Sequence, residues 1–433
     1  MRISIFGLGY VGIVTSACLA RDGHSVIGVD VNADEVAALA AGRSPIVEPG
    51  LAELLEQGVR QGRIRATDDS RRAVAETDIS LVSVGTPSQA NGAPDLSFVM
   101  RVCREIGQAI AAKGSAHTVV LRSTVPPGTT AHCREILSEC AGDAALSVAF
   151  NPEFLREGSA IYDYDHPPYT VVGTHDPEAE GQLRAMYGAV TAPLVVVAPA
   201  ISELLKYVCN SWHATKIVFA NEVGRMAKEW GVDGREVMAL MVEDHKLNVS
   251  AAYLRPGFAY GGSCLPKDVR ALVHAAGQAD IPVPLLAALE MSNQQQVDGA
   301  LAAILAHRPR RVALLGLAFK AATDDLRESP AVTLAKRLIG EGCELRIYSP
   351  DVSMARLLGT NLAYIRENLP HFEGLLVDGL DDLVRWSQVV VVTQVSDEFA
   401  EALGGAEESR IIIDLAGLPA ERLEAHEYHG IAW

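Results

Sequence analysis

The stretch Gly7-Leu8-Gly9-Tyr10-Val11-Gly12 constrains this chain more than any other, because it dictates what must lie on either side of it. It follows an apolar run, Arg2–Phe6, and opens a segment with helical spacing, so the backbone must turn from strand to helix within a few residues. Glycines there permit a tight turn, close approach of backbone to a ligand and close helix–strand packing. Asp30 ends the next apolar run, Ser25–Val29, 18 residues after Gly12. Strand, glycine turn, helix and a second strand closed by an acid make a dinucleotide-binding unit. The helix N-terminus faces a pyrophosphate, and Asp30 accepts from the adenosine ribose hydroxyls. A carboxylate at that point repels a 2′-phosphate, so NAD is expected rather than NADP. The competing reading is a structural glycine turn in a fold that binds no nucleotide.

The same rhythm continues. Strands are expected at Ser25–Val29, Ile79–Val84, Thr118–Arg122, Ser147–Phe150, Thr170–Val172 and Leu194–Val197, with helical patterns between them. This alternation over residues 1–199 predicts a largely parallel sheet. Over 200–307 the strands stop and helical periodicity takes over, with one long run, Ile201–Trp230, that meets its first glycine at Gly224. Over 308–433 the strand–helix rhythm returns at Arg311–Leu315, Glu344–Tyr348, Val389–Thr393 and Arg410–Asp414. The fold class is therefore α/β, two such domains joined by a helical segment.

Composition excludes other classes. With 433 residues, 49% hydrophobic and 21% charged, the chain has a real core and room for about three domains. Its net charge of −17 argues against nucleic acid or an anionic membrane as the main partner. The 7 cysteines are odd in number and contain no CxxC pair, so neither a disulfide framework nor a metal site is expected. No apolar stretch is long enough to span a membrane and no signal peptide precedes the first strand, so a reducing cytoplasm is expected.

Three loops follow expected strands: Gly85-Thr86-Pro87, Ser123-Thr124-Val125-Pro126-Pro127-Gly128 and Asn151-Pro152-Glu153. Ligands of open parallel sheets bind beyond the carboxyl ends of strands, so these loops would surround the cofactor, although Thr-Pro and Pro-Gly are also ordinary turn chemistry. Lys206, Asn210 and His213 share one helix face at i, i+4 and i+7, among Leu204, Leu205, Val208, Ile217, Val218 and Phe219. A polar stripe on a largely buried helix needs a partner, whereas a solvated stripe needs none. The run Gly257-Phe258-Ala259-Tyr260-Gly261-Gly262-Ser263-Cys264-Leu265-Pro266-Lys267-Asp268 puts a thiol in a glycine-rich loop beside a lysine that would favour the thiolate. The plainer alternative is a small buried hydrophobe. In the last third, Gly316-Leu317-Ala318-Phe319-Lys320 lacks the later fingerprint glycines. Lys320 and Arg327 there suggest a separate phosphate-bearing ligand, and Ser329-Pro330 reads as N-cap and first residue of a helix.

GLGYVG, VGTP, STVPPGT, NPEFLREG, KYVCN, PGFAYGGSCLPKD and LGLAFKAATDDLRESP occur in the order found in the nucleotide-sugar 6-dehydrogenases, which the chain resembles over essentially its whole length. The segment DHKLNVSAAYLRPGFAYGGSCLPKDVRAL is most similar to the GDP-mannose branch of that family, and the UDP-sugar branch is the alternative. The resemblance implies two Rossmann-like, doubly wound domains around a helical dimerisation core. NAD would lie on the first and the nucleotide sugar against the last, with active sites completed across a homodimer. It implies a four-electron oxidation of a sugar C6 alcohol to a carboxylate, with Cys264 as nucleophile and two NAD used per sugar.

Residue by residue, the resemblance makes Cys264, Lys206, Asn210, Glu153, Thr124 and Asp268 catalytic. It puts Gly7, Gly9, Tyr10, Val11, Gly12, Asp30, Thr86, Thr124, Lys267 and Arg327 at NAD. Glu157, Lys206, Asn210, His213, Asn221, Tyr253, Arg255, Phe258, Gly261 and Lys320 would touch the sugar nucleotide, Tyr253 and Arg255 from across the dimer. Glu35 departs from the family, which commonly has Lys there, and Ala251-Ala252 replaces bulkier residues. A single-hydride hydroxy-acid dehydrogenase or a non-catalytic NAD sensor would have no use for Cys264, Lys206 and Glu153 together. Both proposed ligands carry pyrophosphates, so Lys206, Arg255, Lys267, Lys320 and Arg327 are expected to converge within an acidic body.

Overall fold

The apolar runs of the N-terminal half become the strands of one sheet. They are β1 (Arg2–Phe6), β2 (Ser25–Val29), β3 (Ile64–Thr67), β4 (Ile79–Val82), β5 (His117–Leu121), β6 (Leu146–Phe150), β7 (Thr170–Gly173) and β8 (Leu194–Val197). Their spatial order is β3-β2-β1-β4-β5-β6-β7-β8. β1 to β6 pair in parallel, while β7 and β8 run parallel to each other and β7 meets β6 antiparallel at Phe150 and Gly173. Alternation along β1 sends Ile3 and Ile5 into one core layer with Leu8 and Leu19, and Phe6 into the other with Val82 and Phe150. Helices cover both faces, which is why these strands read as near-continuous apolar runs.

This computed structural model describes the chain apart from residues 91–92, 252, 255, 263–264, 319–325, 351, 353–364, 366, 370–371, 407, 420, 422 and 433 and the side chain of 372. The chain divides into two compact units, Met1–Ala214 and Thr215–Trp433. The expected long helix runs unbroken through the division as Pro199–Glu229. The second unit holds β9 (Arg311–Leu315), β10 (Glu344–Tyr348), β11 (Val389–Val392), β12 (Ile411–Asp414) and β13 (Glu427–Gly430), all parallel in the order β10-β9-β11-β12-β13. Among the described residues no helix is long and apolar enough to cross a membrane.

Two strands were not foreseen, and both are edges. β3 is IRAT, with only Ile64 buried, and β13 is EYHG, half-buried at best; each has one neighbour. Both carry polar residues, as an edge allows, and so leave no apolar run to read, unlike the all-apolar edge strand β8. Ser329 does occupy the N-cap position ahead of Pro330, yet its hydroxyl makes no cap bond. It donates instead to the Leu317 carbonyl at 2.7 Å, tying the helix start to the turn after β9.

At the amino ends of the strands, a polar chain crosses the sheet. Ser4 Oγ meets Ser80 Oγ at 2.7 Å, Ser80 Oγ meets His117 Nε2 at 2.7 Å, and Lys113 Nζ lies 3.1 Å from His117 Nδ1. The ammonium can only donate to Nδ1, which leaves Nε2 as the protonated nitrogen of a neutral ring. Burial, with Lys113 second, lowers the His117 pKa from 6.5 to about 3. The unfolded chain therefore takes up a proton as pH falls below 6.5 while the folded chain does not until about 3, so stability is lost across that window. His117→Asn should flatten the acid limb of the stability curve by up to about 1.4 kcal/mol per pH unit, read by urea unfolding between pH 4 and 7. An unchanged slope would show that His117 is not the group being titrated.

Candidate active site

The glycine turn lies where the sheet order reverses, between β1 and β4. Its glycines have different reasons to be glycine. Gly7 has φ +97° and an added Cβ would sit 2.7 Å from the Ser83 carbonyl oxygen; on Gly12 it would sit 1.8 Å from the Gly7 carbonyl oxygen. Gly9 has an ordinary φ of −63°, and a Cβ there would meet nothing within 4 Å. The protein itself does not need Gly9 to lack a side chain, so the space in front of it suits a ligand that approaches the backbone. Gly9 caps the helix Tyr10–Arg21 with no side-chain bond, leaving the donors of the first turn for an anion.

Asp30 is aimed into this loop by backbone amides. Its Oδ2 accepts from Leu8 N at 2.7 Å and its Oδ1 from Asn32 N at 2.9 Å, and lone pairs remain for ribose hydroxyls. Glu35 crowds the same place: burial first, then the Asp30 carboxylate, raise its pKa above the usual range. The donor set thus fits a dinucleotide without a 2′-phosphate.

The three loops at the carboxyl ends of β4, β5 and β6 are tied together. Thr86 Oγ1 donates to the Thr124 carbonyl at 3.0 Å and Ser123 Oγ to the Val84 carbonyl at 2.6 Å. Buried Arg122 donates through Nη1 to Asn151 Oδ1 at 2.6 Å and to the Tyr187 hydroxyl at 2.8 Å, while Asn151 Nδ2 donates to the Val171 carbonyl at 2.7 Å. This knot sits directly before Thr124 on one strand and Glu153 on the next. The sequence reading missed it, because a single Arg in an apolar strand looks like surface charge.

Glu153 and Lys206 meet. Lys206 Nζ lies 2.8 Å from Glu153 Oε1, with side chains only 7% and 13% exposed, and 5.4 Å from the Phe154 ring centroid. Glu153 Oε2 accepts from Leu155 N at 2.8 Å. The lysine of the polar stripe is therefore buried and paired, whereas Asn210, His213 and Asn221 are exposed. The apolar neighbours differ from expectation too: Leu204, Val208, Ile217 and Val218 are all exposed on the single chain, so the helix is not largely buried.

Tyr10 is half-buried. Its hydroxyl donates to Glu48 Oε2 at 2.5 Å, and buried Glu48 also accepts from Gly158 N at 2.7 Å and Ala160 N at 2.8 Å. Glu48 thereby anchors the exposed Glu157 segment to the helix Tyr10–Arg21. Val11, Thr86 and Thr124 are half-buried around this region.

In the second unit, the Gly257–Gly262 loop is held by the helix Pro284–Ala306. Tyr260 N donates to Asn293 Oδ1 at 2.9 Å, Asn293 Nδ2 donates to the Tyr260 carbonyl at 2.8 Å, and Gln296 Nε2 donates to the Gly257 carbonyl at 2.5 Å. The signal was present as the polar run Ser292-Asn293-Gln294-Gln295-Gln296 in a helix whose charged residues are Glu290 and Asp298 alone. Gly261 is buried, and a Cβ on it would meet the Glu328 carbonyl oxygen at 2.3 Å. Its glycine is thus needed for packing against the segment that carries half-buried Arg327. Phe258 packs on the core of this unit, Tyr253 is exposed with φ +62°, and Lys267 pairs with its exposed neighbour Asp268. Cys264, Arg255 and Lys320 lie outside the described residues.

Residues 1–191, 200–295 and 313–418 match the NAD binding, central and UDP binding domains of the UDP-glucose/GDP-mannose dehydrogenase family. The chain is 49% identical to a GDP-mannose 6-dehydrogenase of Pseudomonas aeruginosa over 100% of both chains, and 36% identical to a UDP-glucose 6-dehydrogenase of Bacillus subtilis over 81% of this chain and 80% of that one. The crystal structure of a ternary complex of GDP-mannose dehydrogenase from P. aeruginosa superposes with a TM-score of 0.95 at 48% identity, covering 100% of both chains.

The two glycine classes separate by experiment. Gly9→Ala should melt like the wild type yet lose at least about tenfold in NAD affinity, because its Cβ occupies only ligand space. Gly12→Ala should lose about 3 kcal/mol or more of stability, since backbone must move. Thermal melts with NAD titration check both, and a destabilised Gly9→Ala would refute the distinction.

Proposed function

Because the chain belongs to the UDP-glucose/GDP-mannose dehydrogenase family, we propose that it oxidises the C6 alcohol of GDP-mannose to the carboxylate of GDP-mannuronate, a uronate precursor for polysaccharide synthesis. The higher, full-length identity to GDP-mannose relatives favours this sugar over UDP-glucose. The observation that carries the chemistry is the buried Lys206–Glu153 pair at the carboxyl edge of the sheet. A lysine stored against a carboxylate is a donor ready for a substrate oxygen, with a base beside it.

NAD, when bound, accepts hydride from the sugar carbon. Lys206 and Asn210, on one helix face, would stabilise negative charge as it develops on the C6 oxygen. Cys264 would add as thiolate to the aldehyde carbon to give a thiohemiacetal, whose remaining carbon-bound hydrogen would leave as hydride to a second NAD, giving a thioester. Glu153, with Thr124 and Asp268, would manage the protons and the water that releases the carboxylate and restores the thiol. Residues 1–199 would hold NAD and 308–433 the nucleotide sugar, with Glu157, His213, Asn221, Tyr253, Arg255, Phe258, Gly261 and Lys320 contacting it. Such thiol chemistry suits a reducing cytoplasm.

A homodimer built on residues 200–307 is the proposed working unit. Ile201, Leu204, Val208 and Trp212 recur at i, i+3, i+7 and i+11, so they line one face of the long helix, opposite Lys206 and Asn210, and all four are exposed. A second copy that presents the same stripe would cover it.

With NAD and GDP-mannose, about two NADH per sugar oxidised are expected; a ratio of one sinks the thioester route, and turnover of UDP-glucose alone overturns the sugar. Cys264→Ser should bind NAD normally and fail to complete the oxidation. Val208→Arg should convert the dimer to a monomer in sedimentation equilibrium, and a wild-type chain that sediments as a monomer excludes the assembly.

A further inference from the structure

Glu203 lies one helical turn before Lys206 on the long helix and is fully buried. Its Oε2 accepts from Gly128 N at 2.7 Å, and its Oε1 accepts from Thr130 N and from Thr130 Oγ1, each at 2.6 Å. Gly128 is the N-cap of the helix Thr129–Ala141, has φ +94° and offers no side chain to cap it. Glu203 therefore supplies that cap from a different helix, placing a carboxylate at the positive end of the dipole.

Four other helices are capped locally, by Asn32, Asp69, Asp176 and Asp233 at their own N-caps. A local cap would have served Thr129–Ala141 equally well as far as helix stability goes. Capping at a distance does one thing more: it joins the long helix to the Ser123–Gly128 loop that carries Thr124. There is no slack at the helix start, because a Cβ on Gly173 of β7 would meet Ser202 Oγ at 1.9 Å. Lys206 follows Glu203 by three residues, so it shares that face and reaches Glu153 on the loop after β6.

We propose that Glu203 is a positioning residue, which sets the depth and rotation of the long helix so that Lys206 is held at a fixed place relative to Thr124 and Glu153. The catalytic consequence rests on the reading above that Lys206 serves the oxidation; the clamp itself does not.

The test compares wild type, Glu203→Gln and Asp69→Ala, the last removing a cap elsewhere in the same unit. Acetylation of Lys206 by a lysine-directed reagent, followed by peptide mass, should quicken about fivefold or more in Glu203→Gln and stay at the wild-type rate in Asp69→Ala, even if both melt lower. In turnover, kcat of Glu203→Gln should fall about tenfold or more while KM for NAD changes less than about twofold. Should Glu203→Gln not fold, Thr130→Val, which deletes one of the three donors, should shift both readouts in the same direction. Unchanged labelling of Lys206 overturns the clamp whatever the activity, and faster labelling with unchanged kcat overturns its positioning role. Faster labelling in a protein whose wild type turns over no nucleotide sugar leaves the clamp standing and rejects the functional reading.

Discussion

A Cβ on Gly12 would sit 1.8 Å from the Gly7 carbonyl oxygen, and the rest of the site is arranged around the turn that this contact makes possible. With no side chain there, the helix Tyr10–Arg21 starts directly on the end of β1, where the strand order reverses. Asp30 is drawn over the turn by the Leu8 amide, and Gly9 is left facing open space. A bulkier turn would push the helix off the sheet and remove both the donor end and the approach to it.

Outside the turn, placement is achieved by buried polar groups that each hold more than one element. Arg122 joins the ends of β5 and β6 through Asn151 and Tyr187, and Glu48 joins the helix Tyr10–Arg21 to the segment 156–160. Against the cost of its own burial, the Tyr10 hydroxyl and the Gly158 and Ala160 amides hold Glu48 below the usual carboxylate range. A buried polar group is expensive unless bonded, so each such knot has one low-energy geometry and confers it on its neighbours. The site is stiff for the same reason that it is costly to disturb.

The central strands were legible because both their faces are buried, and so were the long helix, the glycine turn and Asp30. β3 and β13 escaped because these two edge strands carry polar residues, Ile64-Arg65-Ala66-Thr67 and Glu427-Tyr428-His429-Gly430, whereas the apolar edge strand β8 was legible. The polar stripe was visible as spacing, but spacing cannot say which member is buried. Lys206 is, paired with Glu153, and Asn210 and His213 are not. The exposure of Leu204 and Val208 ran against a largely buried helix, since apolar composition alone does not distinguish a core from a face awaiting a second chain.

Motif order by itself determined the α/β class, the dinucleotide turn with its preference for NAD, and the family to which the chain belongs. These depend on local chemistry: a glycine where no Cβ fits, an acid at a strand end, a period of two or of 3.6. Only the tertiary structure decided that Gly261 is required by the Glu328 carbonyl, that Asn293 grips the Tyr260 backbone, and that Glu203 caps a helix beginning at Thr129. Each joins residues tens of positions apart in the chain. Such partners are set by how layers pack, and no local pattern in the sequence encodes that.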